Sequence, residues 1–545
     1  MPGSFGENAA GFLGPVIPDP ASPVPPCVLH EDEHLLVVNK PPGWNTHAPS
    51  PYAGEGIYDW LRNREPRWAT LAIIHRLDKE TSGLLVFGKT ALANRSLTEQ
   101  FTRREVRKRY VLETDREVVG DIFTVRTPIR RAGERYQAAV GAADAESAET
   151  RFRVVERKFG STLIEAEPIT GRTHQIRVHA MERDFPIRGD CLYGGTPSGR
   201  VRLHAAELRF IHPRENREVV YQTDVDFDEP TGAALRRALI DFRETDSFRW
   251  IHGAADRSDG CYIDRFNGYA LVQSEGGAAV PMPMPPGTRG WYVKQLERRM
   301  QERRPAELSP RHAGGEMASE IFVVRENGVQ FELSFQEGYS VGLFLDQRDN
   351  RRRLLTGHVG EGFPLWDSEI ASREILNCFA YTCGFSVCGA RGGARTTSLD
   401  LSRKYLDWGH RNFLRNGIDP QGHEFIHGDA FDWLRRFSRM GRQFGVVVLD
   451  PPTFSRSKEY GIFRAESDYG SLVRSALSVL SSRGVLLSST NAARVSADQF
   501  LRTLRDAIGS TGRRIVKELY IPQPPDFPVQ RDEPAHLKTV WMRMD

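Results

Sequence analysis

The sequence predicts a multidomain chain. An N-terminal α+β region on a mixed or antiparallel sheet comes first, then a small α+β subdomain, then a doubly wound α/β domain. Three observations carry this. At 545 residues the chain exceeds what one hydrophobic core serves, so two or three domains are expected. Between Cys27 and about Asp228, short β-branched runs such as GLLVFGK, RYVLET and TLIEAEPI alternate with Gly and Pro punctuation. From Glu374 onward the texture changes to strand–helix alternation, as in ILNCFA, RTTSLDL, EFIHG, FGVVVLD and GVLLSST.

Taken in order, residues 1–26 are rich in Gly, Pro, Ala and Ser and carry no Lys or Arg. They read as a disordered tail, not a signal peptide. Residues 27–228 form the first domain, with one clear helix from Ala91 to about Arg104. Residues 229–244 read as a charged helical connector, and residues 245–335 as the small subdomain, with a basic helix around Lys294 to Arg304. Residues 336–545 form the doubly wound domain. No apolar run is long enough to cross a bilayer, and six cysteines in this length do not make a disulfide scaffold. Cys378, Cys383 and Cys388 lack a fourth ligand for zinc and read as buried structural residues. A reducing, cytoplasmic setting follows, with no membrane and no metal expected; the oligomeric state is left open.

The net charge of +3 does not announce a nucleic-acid binder, so the local clusters matter more. Arg103, Arg104, Arg107, Lys108 and Arg109 form one, and Arg348, Arg351, Arg352 and Arg353 another. Each can be a phosphate site or a solvated face, and the second can instead fix a loop over a bound ligand.

In HRLDKETSGLLVFGKT, Asp78 stands at a strand–turn junction, where an aspartate is ordinarily a cap. PITGRTHQIRVHA adds a helix start dense in donors (Arg172, Thr173, His174, Arg177), with Ile176 and His179 on its inward face. These two segments occur in order with VVNKPPGWNTH, RKRY, GDCLYGG and RLHAAELRFIHP. On them, residues 27–228 resemble the RluA-type pseudouridine synthases. The resemblance implies that Asp78 attacks the nucleoside, that Arg177 keeps it ionised and oriented, and that Tyr110 stacks on the base and passes a proton. It also implies that Arg76 fills the gap left by a flipped uridine, and that no cofactor is needed. The S4 RNA-binding domain frequent in that family is not seen before Cys27.

In the last domain, Asp400, Asp429 and Asp450 all stand at strand ends, where open α/β sheets bind ligands and where helix N-caps also sit. With YSVGLFLDQRDNRRRLL, NCFAYTCGFSVCGARGGA, DLSRKYLDWGHRNFLRNGI and LDPPTF, residues from about 245 onward resemble class I, Rossmann-like rRNA methyltransferases that use S-adenosylmethionine. They are nearest to the guanine-N7 module of the bifunctional 23S rRNA enzyme, which shares the Asn-bearing SSTNAAR loop. By that resemblance Asp400 holds the cofactor ribose and Asp429 the adenine. Asn377, Phe379, Tyr381 and Gly384 shape the methionine end, and Asp450, Pro451, Pro452 and Phe454 line the transfer site. Cys383 departs from the family's usual glycine.

Carbon-5 methylation of a pyrimidine needs a cysteine nucleophile, yet none follows Cys388. Amine methylation pairs with an aromatic after the two prolines, where Thr453 stands. Guanine N7, with an exposed lone pair, needs only positioning. The expected function is therefore bifunctional RNA modification, on rRNA first and tRNA as a second option. The alternatives are an RNA-binding assembly factor with a vestigial site, or cytosine-C5 methylation.

Overall fold

The computed structural model describes residues 24–54, 56–276, 284–296, 309–338, 340–366, 373–457, 461–529 and 535–545. Most of the N-terminal tail, and the basic helix expected beyond Leu296, lie outside the described residues. Lys294 itself belongs to a strand, Gly290–Leu296.

Among the described residues the first sheet has ten strands. Its main path runs Val28–Glu31, Leu35–Lys40, Ser82–Gly88, Leu203–Ile211, Arg107–Thr114, Ser161–Pro168, Thr150–Lys158, Ile122–Val125. Pairing is antiparallel except where Leu203–Ile211 runs parallel to Ser82–Gly88, which makes the sheet mixed. The central strands read as continuous apolar runs because both faces are covered. Leu35, Val37, Leu84 and Val86 pack with Ala93 and Leu97 of the helix Ala91–Thr102. Leu36, Val38, Leu85 and Phe87 pack into the core that holds Ile176 and Ala180 of the helix Gln175–Glu182. Gly83 explains one glycine of the DKETSG run. Its φ is +116°, and a Cβ there would lie 2.3 Å from the carbonyl oxygen of Ala205 on the parallel neighbour.

The helix Thr231–Leu239 follows. A five-stranded sheet then spans Ser247–His252 to Arg311–Gly315, with the hairpin Phe322–Glu326 and Val329–Leu333 after it.

The last sheet has seven strands among the described residues. Their order is Glu424–His427, Arg395–Asp400, Glu374–Cys378, Phe444–Leu449, Leu480–Thr490, Lys538–Met544, Ile515–Ile521. The first five are parallel and Lys538–Met544 is antiparallel to both neighbours. Helices cover both faces: Ile375, Val446 and Leu487 enter one core, Leu376, Val447 and Leu486 the other. Strand order reverses at Glu374–Cys378, so a crevice opens beyond the carboxyl ends of this strand and its neighbours.

The arginines of the helix Arg348–Thr356 are internal, which removes the phosphate-site and solvated-face readings of this cluster and leaves a structural role. Arg348 grips Asp526 with both amino nitrogens, at 2.9 and 2.5 Å. Arg351 grips Glu326 and donates to the carbonyl of Phe344, while Arg353 donates to the carbonyl of Val359. Arg352 crosses to the first domain, pairing with Glu65 and donating to the carbonyl of Arg64. A buried guanidinium without a partner is costly, so each has found one.

Candidate active sites

The turn that carries Asp78 is fixed from below by the first loop of the chain. Thr46 donates its hydroxyl to the carbonyl of Leu77 and accepts from the Leu77 amide, both at 3.0 Å. The ammonium of Lys40, fully buried, donates to the carbonyls of Pro41, Trp44 and Lys79. The NKPPGWNTH segment therefore buttresses the carboxylate.

Asp78 and Tyr110 line one cleft of about 810 Å³, with Arg76, His174 and Arg177 around them. Arg177 Nη1 lies 3.5 Å from Asp78 Oδ2 and 3.2 Å from Glu80 Oε2. Its tightest partner is Asp190, which accepts from Nε at 2.7 Å and Nη2 at 2.8 Å. Burial opposes the charge on Arg177, but Asp190, Asp78 and Glu80 together outweigh it and hold the guanidinium firmly protonated. Asp190, in GDCLYGG, thus orients the arginine that faces Asp78. Asp190 is not among the residues expected from sequence.

Tyr110 is buried at the cleft wall. Burial first, and then the charge of Asp78, push its phenol well above the usual range. His174 begins its helix in the left-handed region (φ +57°) and takes part in a 2.7 Å hydrogen bond between Nδ1 and the hydroxyl of Tyr193. Its Nε2 is 3.9 Å from Asp78, and burial keeps the ring below its ordinary pKa despite that carboxylate. Arg76 is exposed at the mouth of the cleft. Ile176 faces the cleft, but His179 turns away to bond Thr150 and the carbonyl of Thr127.

A second cavity, about 340 Å³, opens at the carboxyl ends of the parallel strands. Phe379, Tyr381, Gly384, Asp400, Asp450, Pro451 and Pro452 line it, as the sequence pattern expects. Its floor loop is strained: Phe379, Tyr381 and Cys383 all have positive φ, at 61°, 48° and 63°. Each such residue costs about 1 kcal/mol or more, a cost that gathers at functional loops. Cys383 stands where glycine would relieve that cost. Asp400 is held at the tip of its strand by the amides of Tyr381 and Ser402, each at 2.8 Å. Burial pushes Asp450 up to about 7, with the negative charge of Asp346 adding to it.

Three expected residues lie off the cavity wall. Asn377 is buried inside the sheet, donating to the Ser386 hydroxyl, so it supports the loop from beneath. Asp429 caps the helix Ala430–Arg439 through the Asp432 amide. Phe454 points outward on a hairpin, under the guanidinium of Arg464.

Asp346 and Gln347, not among the residues expected from sequence, line the cavity from the LDQR segment, as does Asn491 of the SSTNAAR loop, whose side-chain oxygen accepts from Thr453 at 2.7 Å. For Asp346 and Gln347 position in LDQRDNRRR was the only signal, whereas the SSTNAAR loop had already pointed to Asn491.

Three carboxylates (Asp346, Asp400, Asp450) among aromatic rings suit a ligand with a ribose diol and a cationic tail, which is the donor chemistry of S-adenosylmethionine. When bound, that cofactor supplies an electrophilic methyl on a sulfonium.

One cleft presents a carboxylate beside a fixed guanidinium and a phenol, and the other is a nucleoside-sized cavity at a strand switch. Together they define a two-site enzyme. Residues 34–182 match the RNA pseudouridylate synthase family, and residues 291–543 the S-adenosylmethionine-dependent methyltransferase family. A ribosomal RNA large subunit methyltransferase from Deinococcus radiodurans is 33% identical over 355 residues, covering 62% of this chain and 83% of that protein. Ribosomal large subunit pseudouridine synthase C from Yersinia pestis is 36% identical over 231 residues, covering 40% and 69%. Ribosomal RNA large subunit methyltransferase K/L from Psychrobacter arcticus is 33% identical over 213 residues, which is 38% of this chain and 26% of that protein. The chain belongs to the pseudouridine synthases through its first half and to the S-adenosylmethionine-dependent methyltransferases through its second.

Proposed function

We propose that this bifunctional enzyme acts on large-subunit ribosomal RNA, isomerising a uridine at Asp78 and methylating guanine N7 at the cavity beside Asp450. The ribosomal RNA enzymes among the relatives support ribosomal RNA as the substrate. The observation that carries the first reaction is the Asp78–Arg177 pair, with Arg177 locked by Asp190. Asp78 attacks the nucleoside, the N1–C1′ bond breaks, and the freed uracil turns. C5 then bonds C1′ as the Asp78 carboxylate leaves it, C5 loses its proton and N1 takes one. A phenol held protonated suits Tyr110 to pack on the base and pass a proton. Arg76, at the mouth, occupies the space the base leaves.

For the second reaction, the residues support positioning without a covalent nucleophile. Cys378, Cys383 and Cys388 are buried with thiols pushed up by burial, Cys383 to about 12, so none is a ready thiolate. Asp400 would hold the ribose, Tyr381 and Phe379 the walls, and Asp346 and Asp450 the cationic end. Pro451 and Pro452 would set the guanine against the methyl group.

Mass-spectrometric mapping of ribosomal and transfer RNA from cells with and without the gene tests the proposal. Loss of one pseudouridine and one 7-methylguanosine from large-subunit RNA is expected. Loss confined to transfer RNA, or a lost 5-methylcytosine, would contradict it.

A further inference from the structure

The RKRY segment supplies two side chains to the synthase cleft, and only Tyr110 has so far been given work. Residues two apart on a strand share a face, so Lys108 points the same way as Tyr110 and lines the same cleft. The other basic residues nearby are mostly engaged. Arg103 pairs with Glu99, and Arg109 with Glu165 and Glu207. Among the described residues, Lys108 has neither a carboxylate nor a hydrogen-bond acceptor. Its ammonium sits 5.9 Å from the ring centroid of Phe101, and a Cβ built on Gly171 would lie 3.6 Å from Nζ. Burial draws the ammonium below its ordinary range with no anion to restore it.

The surroundings are those of a nucleotide subsite. His75 stacks on Phe101 with centroids 4.6 Å apart and accepts the Val86 amide through Nε2. Burial, and then the charge of Lys108, hold that imidazole neutral, down to about 3. Arg104 lines the same arm of the cleft from its rim, exposed and held at φ +59° by the end of the helix Ala91–Thr102. An unpaired cation beside an aromatic wall, with a second cation at the entrance, recognises a phosphodiester next to an unstacked base.

We propose that Lys108 holds the backbone phosphate of the nucleotide flanking the flipped uridine, in the space left open by Gly171. This inference rests on the synthase reading above. It makes Lys108 a positioning residue: it grips the strand and leaves the chemistry to Asp78.

The test uses the full chain and unmodified 23S rRNA transcript, comparing wild type, Lys108→Gln and Lys108→Arg. Losing one phosphate contact lowers the slope of log Kd against log salt by about 0.7–1, and weakens binding alike for RNAs of unrelated sequence. Lys108→Gln should show that change, with kcat/KM falling several-fold through KM, and Lys108→Arg should restore the slope. An active enzyme whose Lys108→Gln variant keeps the wild-type salt slope, or loses kcat alone, would overturn the assignment. A wild-type protein that forms no pseudouridine in any RNA would instead overturn the functional reading on which it rests.

Discussion

Asp450 shows how one residue's environment sets a measurable behaviour. Burial and the neighbouring charge of Asp346 raise its carboxyl to about 7. With Asp450 at the cationic end of the cofactor, as proposed, only the ionised form attracts it, so affinity for S-adenosylmethionine should fall about tenfold per pH unit below 7 and level off above about 8. Calorimetric titration across that range checks this, and Asp450→Asn should bind weakly with no such dependence. The stability sign follows from linkage. A carboxyl raised in the folded state keeps a proton that the unfolded chain releases, so its contribution declines as pH rises from about 4 through about 7. Asp450→Asn should therefore melt higher, relative to wild type, at pH 8 than at pH 5. A constant difference in melting temperature would contradict the raised carboxyl. Asp190 makes a different point at this scale: it is almost fully buried and steers Arg177 from the side away from substrate. Nothing in its local sequence distinguishes it from an ordinary turn acid.

At the scale of elements, the strands were legible because their apolar runs and punctuation are local properties. GLLVFG and GVVVL became buried strands as their pattern requires. The helix Arg348–Thr356 was not legible, because four arginines within six residues declare charge but not partners. Their acids come from Glu65, Glu326 and Asp526, far along the chain. Asp429 was ambiguous for a related reason: a strand-end aspartate can meet a ligand or cap the next helix, and here it caps. The Arg352–Glu65 pair is 9% and 5% exposed and joins the two halves. Removing one member leaves a buried charge, so Glu65→Ala should cost about 3–5 kcal/mol, while the paired change Glu65→Leu with Arg352→Met should cost much less. Denaturant unfolding of the three proteins measures this; equal losses in single and double variants would refute a buried, mutually dependent pair.

Across the whole molecule, the expected connector is a structural joint. Leu235 and Leu239 of the helix Thr231–Leu239 pack into the core of the first domain. Arg236 of the same helix bonds Asp256 and the carbonyl of Asp526 on the other side. Tyr52 meets Tyr520 edge-on at 4.8 Å and donates to Asp498 across the same boundary. The halves are thus fastened, yet the two sites are separate: among the described residues, no side chain that lines the Asp78 cleft also lines the Asp450 cavity. No helix among the described residues is long and apolar enough to cross a membrane. Two separate reactions on one chain require that either site can be lost without the other. Quantitation of pseudouridine and of methylated nucleoside formed in the same unmodified 23S rRNA transcript by wild type, Asp78→Ala and Asp450→Ala tests this most directly. Asp78→Ala should abolish pseudouridine and keep methylation, and Asp450→Ala should do the reverse. Loss of both products in either variant would contradict two independent sites.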